Sequence, residues 1–503
     1  MIFTRIKPNL YKDSVALMRI AEKLLADPAL LRATLVMATP ANKDILQEAG
    51  LLNTDAGTAA PSDLIVVVEC ASAEIADQAF ALVDTSLQGG SQVSSGPSRE
   101  VAPKTIPMGR ACLHHASMVQ ISVPGAYAGA EALKAVKAGL DVFLFSDNVP
   151  IAQELAIKQL ARAKQVLVMG PDCGTAIIGG VPLGFANVVR RGHIGVIGAS
   201  GTGLQEVTAQ IHLMGAGVSH AIGTGGRDVK AEIGGITMLM ALDLLANDAD
   251  TKVIGIVSKP PAPEVMAQVV KRAGEAGKPV VVVFLGGAEM VLPANVRQTD
   301  TLYECAAACV AAAQPGTPPS SAPLAEMGST GARRGAGQKY VRGLFSGGTF
   351  CTEAQVALRS HGVACWSNVP LDKAWSLTDL SQSKEHTMLD LGDDDFTVGK
   401  PHPMIDPSTR IARIAQEAAD PETAVLLLDI VLGYAGHMDP AGALSDAIRQ
   451  VKAKRELAVV AFVCGTEEDP QVRSKQEQIL KAAGCLVASS STQAASWAAS
   501  LVS

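Results

Sequence analysis

Three segments of this chain recur in the same order, and a duplication of that kind constrains the fold more than any single motif. IGVIGASGTGLQE (Ile194 to Glu206) aligns with VRGLFSGGTFCTE (Val341 to Glu353), each an apolar strand that ends in a Ser-Gly turn and opens a helix. DTKVIGIV (Asp250 to Val257) aligns with ETAVLLLDIV (Glu422 to Val431), and KPVVVVFLGG (Lys278 to Gly287) with ELAVVAFVCG (Glu456 to Gly465). Short runs of Val, Ile and Leu alternating with helical stretches describe a parallel sheet buried on both faces. Residues 192–313 and 339–503 are therefore expected to be two copies of one flavodoxin-like α/β domain.

The turns of this repeat point to anion binding. After Ile197, the run Gly198-Ala199-Ser200-Gly201-Thr202-Gly203 lets backbone N–H groups converge. The helix that follows, with Leu204, Val207, Ile211 and Met214 on one face, directs its positive end at the same spot. Ser346-Gly347-Gly348-Thr349 is a second such turn, and Leu432-Gly433-Tyr434-Ala435-Gly436-His437 a third. Phosphate or substrate binding is expected at Ser200, Gly201, Thr202, Gly203, Ser346, Gly347, Gly348, Thr349, Gly433 and Gly436, and two facing cradles would grip one phosphate from both sides. The same glycines would equally serve close strand-to-helix contact, as in any doubly wound sheet. Position 206 is Glu, so the first turn is not G-x-G-x-x-G, and no G-x-x-x-x-G-K-[ST] occurs at these turns.

Two Gly-, Pro- and Ser-rich stretches, Gly89 to Pro103 and Gln314 to Gln338, read as linkers. Before the first, residues 1–103 carry an amphipathic helix around Leu17 to Leu25 and strands at Ala33 to Ala38 and Leu64 to Glu69, which fits a small ferredoxin-like α/β domain. Residues 110–191 alternate strand and helix through Val119 to Val123, Asp141 to Phe145 and Gln165 to Met169 before the turn GPDCG, as a Rossmann-like domain would. Four such units suit 503 residues.

With 42 basic against 49 acidic residues and no basic cluster, a nucleic-acid surface is not expected. No apolar run reaches the ~18 residues of a membrane helix, and the first residues lack a signal-peptide core, so a cytosolic location is expected. Nine cysteines include no CxxC pair, and Cys305 and Cys309 have no His or Cys partners, so no metal site is expected.

GPDCGTAI (Gly170 to Ile177), followed by GHIGVIGASGTGLQE (Gly192 to Glu206), resembles the α-subunit of succinyl-CoA synthetase and the NDP-forming acyl-CoA synthetases. DIVLGYAG (Asp429 to Gly436) resembles the carboxy-terminal domain of the β-subunit. The motifs LFSGGTFC from Leu344 and GKPHPMIDP from Gly399, in this fused order, extend the resemblance over nearly the whole chain to the FdrA family. That resemblance implies a CoA-binding-type domain over 110–191, two succinyl-CoA synthetase-type domains after it, and a place in allantoin and purine degradation. There the FdrA component works with two further proteins as an oxamate carbamoyltransferase, moving a carbamoyl group between carbamoyl phosphate and oxamate or oxalurate. The implied ligand is carbamoyl phosphate or phosphate, no other cofactor is assigned and retention of CoA binding stays open, and the implied assembly is a hetero-oligomer.

The departures from the synthetases are specific. Their phosphorylated histidine follows the strand equivalent to Val280 to Leu285, where this chain has Gly286-Gly287-Ala288-Glu289-Met290. No ATP-grasp domain is recognisable, and the glycine-rich CoA turn that opens the synthetases is replaced by the small amino-terminal domain. Carbamoyl transfer requires a leaving phosphate to be neutralised and a carbonyl polarised, which facing helix N-termini do. Cations for a substrate carboxylate are Arg227, Lys259, Lys400 and His402, of which Lys259 and His402, with His437 at the third turn, are the catalytic candidates. The other histidines and Cys173 read as surface or packed groups. Two alternatives stay open: an NDP-forming acyl-CoA synthetase whose nucleotide domain sits on another chain, and a non-catalytic scaffold subunit.

Overall fold

The computed structural model describes residues 1–10, 12, 14–88, 102–316, 337–398 and 400–502. Both linker stretches lie almost entirely outside them. The chain divides into two compact units, one of Met1–Ala102 with Thr397–Pro401, the other of Pro103–Phe396 with His402–Ser503.

In the first unit, β1 (Ile2–Lys7), α1 (Ser14–Leu25), β2 (Leu30–Met37), α2 (Pro40–Glu48), α3 (Thr54–Thr58), β3 (Leu64–Cys70) and α4 (Ala73–Gln88) follow one another. The strands are antiparallel in the order β1-β3-β2. Leu64, Val66 and Val68 on one face of the central strand pack with Leu17, Leu24, Phe80 and Val83 of the helices. This is the ferredoxin-like arrangement with three strands among the described residues.

The second unit begins with α5 (Ile106–Cys112), β4 (Met118–Ile121), α6 (Gly125–Lys137), β5 (Asp141–Leu144), α7 (Ile151–Lys164) and β6 (Val168–Met169). Its parallel sheet β4-β5-β6 has three strands. The chain then forms a hairpin of β7 (Thr175–Ile178) and β8 (Val181–Gly184), followed by β9 (Arg191–Gly198), α8 (Gly201–Leu213), β10 (Val218–Gly223), α9 (Ile236–Asn247), β11 (Val253–Ser258), α10 (Pro263–Gly274), β12 (Val280–Phe284), β13 (Val296–Thr299) and α11 (Leu302–Ala313). The sheet order is β13-β12-β11-β9-β10-β7-β8. Strands 175–184 therefore belong to the sheet of the first repeat copy, ahead of the boundary drawn at residue 192.

The second copy runs β14 (Tyr340–Phe345), α12 (Gly348–Ser360), β15 (Trp366–Ser367), β16 (Thr387–Asp390), α13 (Asp394–Thr397), α14 (Ser408–Ala419), β17 (Thr423–Val431), α15 (Pro440–Lys454), β18 (Ala458–Cys464), α16 (Arg473–Ala482), β19 (Leu486–Ala488) and α17 (Ser491–Ser500). Its order is β15-β16-β14-β17-β18-β19. Stripped of edge strands, β10-β9-β11-β12-β13 and β16-β14-β17-β18-β19 are the same flavodoxin order, second-first-third-fourth-fifth. The three aligned segments fall on β9–α8 and β14–α12, on β11 and β17, and on β12 and β18.

One hydrophobic cluster spans both copies, joining Leu204, Val207 and Ile211 of α8 to Phe350, Ala354 and Leu358 of α12. Every residue from Thr202 to His212 is buried, so α8 has no solvent face. The sequence showed only the face toward its own sheet.

Two carboxylates at repeat-related positions lie in this shared core. Glu206 Oε1 accepts the Ser491 N–H (3.1 Å) at the start of α17, and Glu353 Oε1 accepts the Leu302 N–H (3.0 Å) at the start of α11 and the Thr492 hydroxyl (2.8 Å). Among the described residues, Oε2 of each lacks a hydrogen-bond partner. Burial pushes both carboxyls up, Glu353 to about 7, and the Glu206 charge adds to the rise at Glu353. The folded chain thus holds the Glu353 proton more tightly than the unfolded chain, whose Glu titrates near ~4.3, so stability declines as pH rises through that window. Glu353→Gln is expected to be more stable than the wild type by about 1–2 kcal/mol near about pH 8 and to converge with it near about pH 5, as measured by denaturant melts.

Candidate functional site

The two Ser-Gly turns meet. Ser200 caps α8, its hydroxyl accepting the Gly203 N–H (3.1 Å), and the same hydroxyl contacts the Thr349 hydroxyl of α12. Reciprocally, a Cβ on Gly347, the cap of α12, would lie 2.7 Å from the Thr202 methyl group. Cap to third residue in each direction is the relation of a two-fold pair, as the aligned register Ser200/Gly347, Gly201/Gly348 and Thr202/Thr349 requires. The N–H groups of Gly201, Thr202, Gly348 and Thr349 have no protein acceptor among the described residues. Two helix N-termini with unclaimed donors therefore converge, the arrangement that binds a tetrahedral anion.

Charged groups surround this point. Asp429, fully buried in β17, accepts the N–H groups of Ser346 (2.9 Å) and Gly347 (2.9 Å) and the Ser346 hydroxyl (2.8 Å), and pairs with Arg410 (2.8 Å) of α14. Ser346 thus serves the turn's internal order and not an anion, because its donors are already engaged. Asp390, at the end of β16, lies against Gly348, where any Cβ would collide with its carboxylate. Burial pushes Asp390 up to about 7 against the opposing charge of Lys259. Lys259 itself is exposed, just beyond β11.

His402 is half-buried against Gly392, with a Cβ there falling 2.6 Å from Nε2, and its ring centroid lies 5.8 Å from that of Phe185. Its Nδ1 accepts the Met404 N–H (3.2 Å), which leaves Nε2 as the protonated nitrogen of a neutral ring. Burial, with Arg410 adding, pushes the imidazole down to about 4. It can donate through Nε2–H at neutral pH, as an electrophile does.

The remaining candidates sit elsewhere. Gly433 (φ +114°) donates its N–H to Gln471 Oε1 (3.1 Å), and a Cβ would collide with the Ala186 carbonyl. That glycine is a close-approach residue, not a cradle, because its donor is taken. Gly436 has room for a Cβ, and His437 Nδ1 accepts the Asp439 N–H (3.0 Å) within its own loop. Arg227 is engaged with Glu154 (2.9 Å) and the Val149 carbonyl (2.7 Å), tying the loop after β10 to α7. Lys400 falls in the first unit. Burial pushes the Cys173 thiol up to about 12, so it is inert at neutral pH. Gly286, at the place of the synthetases' phosphohistidine loop, lies beside Val356 and Leu371 (3.3 Å to a Cβ), with the last turn of α12 donating Arg359 to its carbonyl (3.4 Å).

Sequence reasoning missed Asp390, Asp429 and Arg410. Asp429 carried a signal, being a lone charge inside the nine-residue apolar run of β17.

This is the domain architecture of a CoA-ligase-type enzyme. Residues 344–501 match the CoA-ligase family, residues 189–287 the CoA binding domain, and residues 1–103 the AllF heavy metal-associated domain. The CoA binding domain match, beginning at residue 189, overlaps only the last three residues of the 110–191 segment to which the sequence resemblance assigned it. The chain is 44% identical over 497 residues to YahF of Escherichia coli K12, covering 97% of this chain and 96% of that protein. It belongs to the FdrA/YahF family, within the superfamily of CoA ligases and ADP-forming acyl-CoA synthetases. It is also 30% identical over 184 residues to the ADP-forming sulfoacetate-CoA ligase subunit SauD of Bilophila wadsworthia, covering 35% of this chain and 60% of that one. The α-subunit of ADP-forming succinate–CoA ligase from Staphylococcus epidermidis ATCC 35984 is 28% identical over 180 residues, covering 34% and 57%.

The donors in residues 1–103 do not fit a heavy metal. That domain has one cysteine, Cys70, and no histidine. Cys70 is buried, its thiol donating to the Ser72 carbonyl (3.2 Å). Among the described residues no group of three or more His, Cys, Asp or Glu converges as a metal set would. No helix among them is long and apolar enough to cross a membrane.

Proposed function

We propose that this chain is the phosphate-handling component of an acyl-transfer enzyme, with the phosphoryl end of an acyl phosphate held between the N-termini of α8 and α12. The observation that carries this reading is the contact of Ser200 with Thr349 beside four N–H groups that no protein acceptor takes. Positive helix ends stabilise the charge that grows on a leaving phosphate. Lys259, from the loop after β11, adds a cation, and His402 offers a neutral N–H toward a carbonyl or carboxylate oxygen. The likeness of LFSGGTFC and GKPHPMIDP to the FdrA family supports carbamoyl phosphate as the acyl phosphate and oxamate as the acceptor: the amide nitrogen bonds to the carbamoyl carbon as the carbon–oxygen bond to phosphate breaks, and the departing phosphate takes the amide proton.

The likeness to SauD and to a succinate–CoA ligase α-subunit favours a second reading, ADP-forming acyl-CoA synthesis with the nucleotide site on a partner chain. The absence of histidine from residues 286–290 speaks for transfer without a phosphohistidine relay. The test is to supply the assembled enzyme, chain plus partner components, either with carbamoyl phosphate and oxamate or with ATP, CoA and a carboxylic acid. Phosphate release that depends on oxamate and yields oxalurate is the expected result. ADP formation that depends on CoA, with acid-labile phosphate on the chain, would replace it by the second reading.

A further inference from the structure

We infer that Asp390 is a proton-carrying ligand residue of this anion site, so that a tetrahedral dianion binds there together with one proton taken up by the carboxyl group. The inference rests on the reading that the two helix N-termini hold a phosphoryl group. Asp390 is 8% exposed, and its Oδ1 accepts the Gly392 N–H (3.0 Å). Its Oδ2 makes no hydrogen bond among the described residues and lies over Gly348, the first residue of α12. One oxygen of a buried carboxyl group thus lies against the first residue of α12, beside the Gly348 and Thr349 N–H groups that no protein acceptor takes among the described residues. An ionised carboxylate beside a dianion would be repelled, whereas a protonated one donates a hydrogen bond to it.

The groups facing Asp390 agree with this. Lys259 approaches from the loop after β11, Asp393 from its own loop, and Asp429 from β17, with Asp429 already paired to Arg410. The Asn368 amide donates to the Asp390 backbone carbonyl and not to the carboxyl (3.0 Å). His402, against Gly392, is neutral. One cation, Lys259, opposes burial and two carboxylates, and the balance holds Asp390 at about 7. The group is therefore poised near neutrality, and an incoming dianion tips it toward the protonated form.

Sulfate is the probe, because it mimics phosphate and does not itself titrate near neutrality. Calorimetry of the full chain with sulfate at about pH 8, in two buffers of different ionisation enthalpy, counts the protons taken up. The expected count approaches one, and the affinity is expected to fall about tenfold per pH unit above ~7. Asp390→Asn is expected to bind sulfate with no proton uptake and with an affinity flat in pH, exceeding the wild type by about tenfold or more near about pH 8.5. Wild-type binding without proton uptake overturns the inference and leaves the phosphoryl site standing, and this count decides the matter even if the variant does not fold. An Asp390→Asn protein that keeps the wild-type uptake also overturns it. A wild type that binds neither sulfate nor phosphate at any pH overturns the phosphoryl-site reading, and this inference falls with it.

Discussion

Gly348→Val is expected to lower phosphate affinity by more than about 100-fold, or about 2.7 kcal/mol, while the chain still folds. Position 348 opens α12 and lies in ordinary helical space, so a side chain meets no backbone strain there. The obstacle is the Asp390 carboxylate, held in place by the Gly392 N–H. A valine must either expel Asp390, which takes the proton-carrying group out of the site and leaves the valine beside it, or push back the first turn of α12, which misplaces the N–H groups of Gly348 and Thr349. The fold should lose only the ~1–3 kcal/mol typical of overpacking. Gly201→Ala is the control: its Cβ comes no closer than 3.3 Å to the Thr175 hydroxyl, and phosphate affinity should stay within about threefold of wild type. Phosphate calorimetry and a melt on both variants check this. Wild-type affinity in Gly348→Val would remove α12 from the site.

Arg410→Met is expected to cost about 3–5 kcal/mol of stability, the largest effect of any single substitution considered. Arg410 is 3% exposed, and its guanidinium reaches the Asp429 carboxylate (2.8 Å) and carbonyl (2.7 Å) and the Leu344 carbonyl (3.0 Å). Without it, Asp429 remains buried with an uncompensated charge, satisfied only by the dipoles of the Ser346 turn. The double variant Arg410→Met with Asp429→Asn should recover a large part of the loss, because the amide keeps an oxygen for the turn's N–H groups and carries no charge. Denaturant melts of the two proteins measure the difference. A double variant no more stable than the single one would mean that Arg410 stabilises by packing its stem and not through Asp429.

Much of the scaffold was legible in the chain. Ile197, Ile256 and Val282 and their counterparts Leu344, Leu428 and Val460 lie in parallel strands because β-branched and aliphatic runs of strand length, each followed by a helix, have few other ways to be buried. The Ser200 and Gly347 turns were legible for the same reason, since a strand ending in Ser-Gly ahead of an amphipathic helix is a local signal. The reading failed at the Leu432–His437 turn, where the same glycine-rich appearance hides a different task. Whether Gly433 N–H faces an anion or Gln471 depends on residues 38 positions away.

Sequence alone determined the duplication, the flavodoxin-like order within each copy and the residues that open α8 and α12, because these follow from local periodicity and nearest-neighbour backbone geometry. Tertiary structure alone decided that Ser200 touches Thr349 across 149 residues, that Asp390 lies over Gly348, and that Glu206 and Glu353 are sealed in one core. Each of these depends on how two sheets stack against shared helices. That choice is made by side-chain burial over long loops, where no local pattern records which distant group will stand opposite.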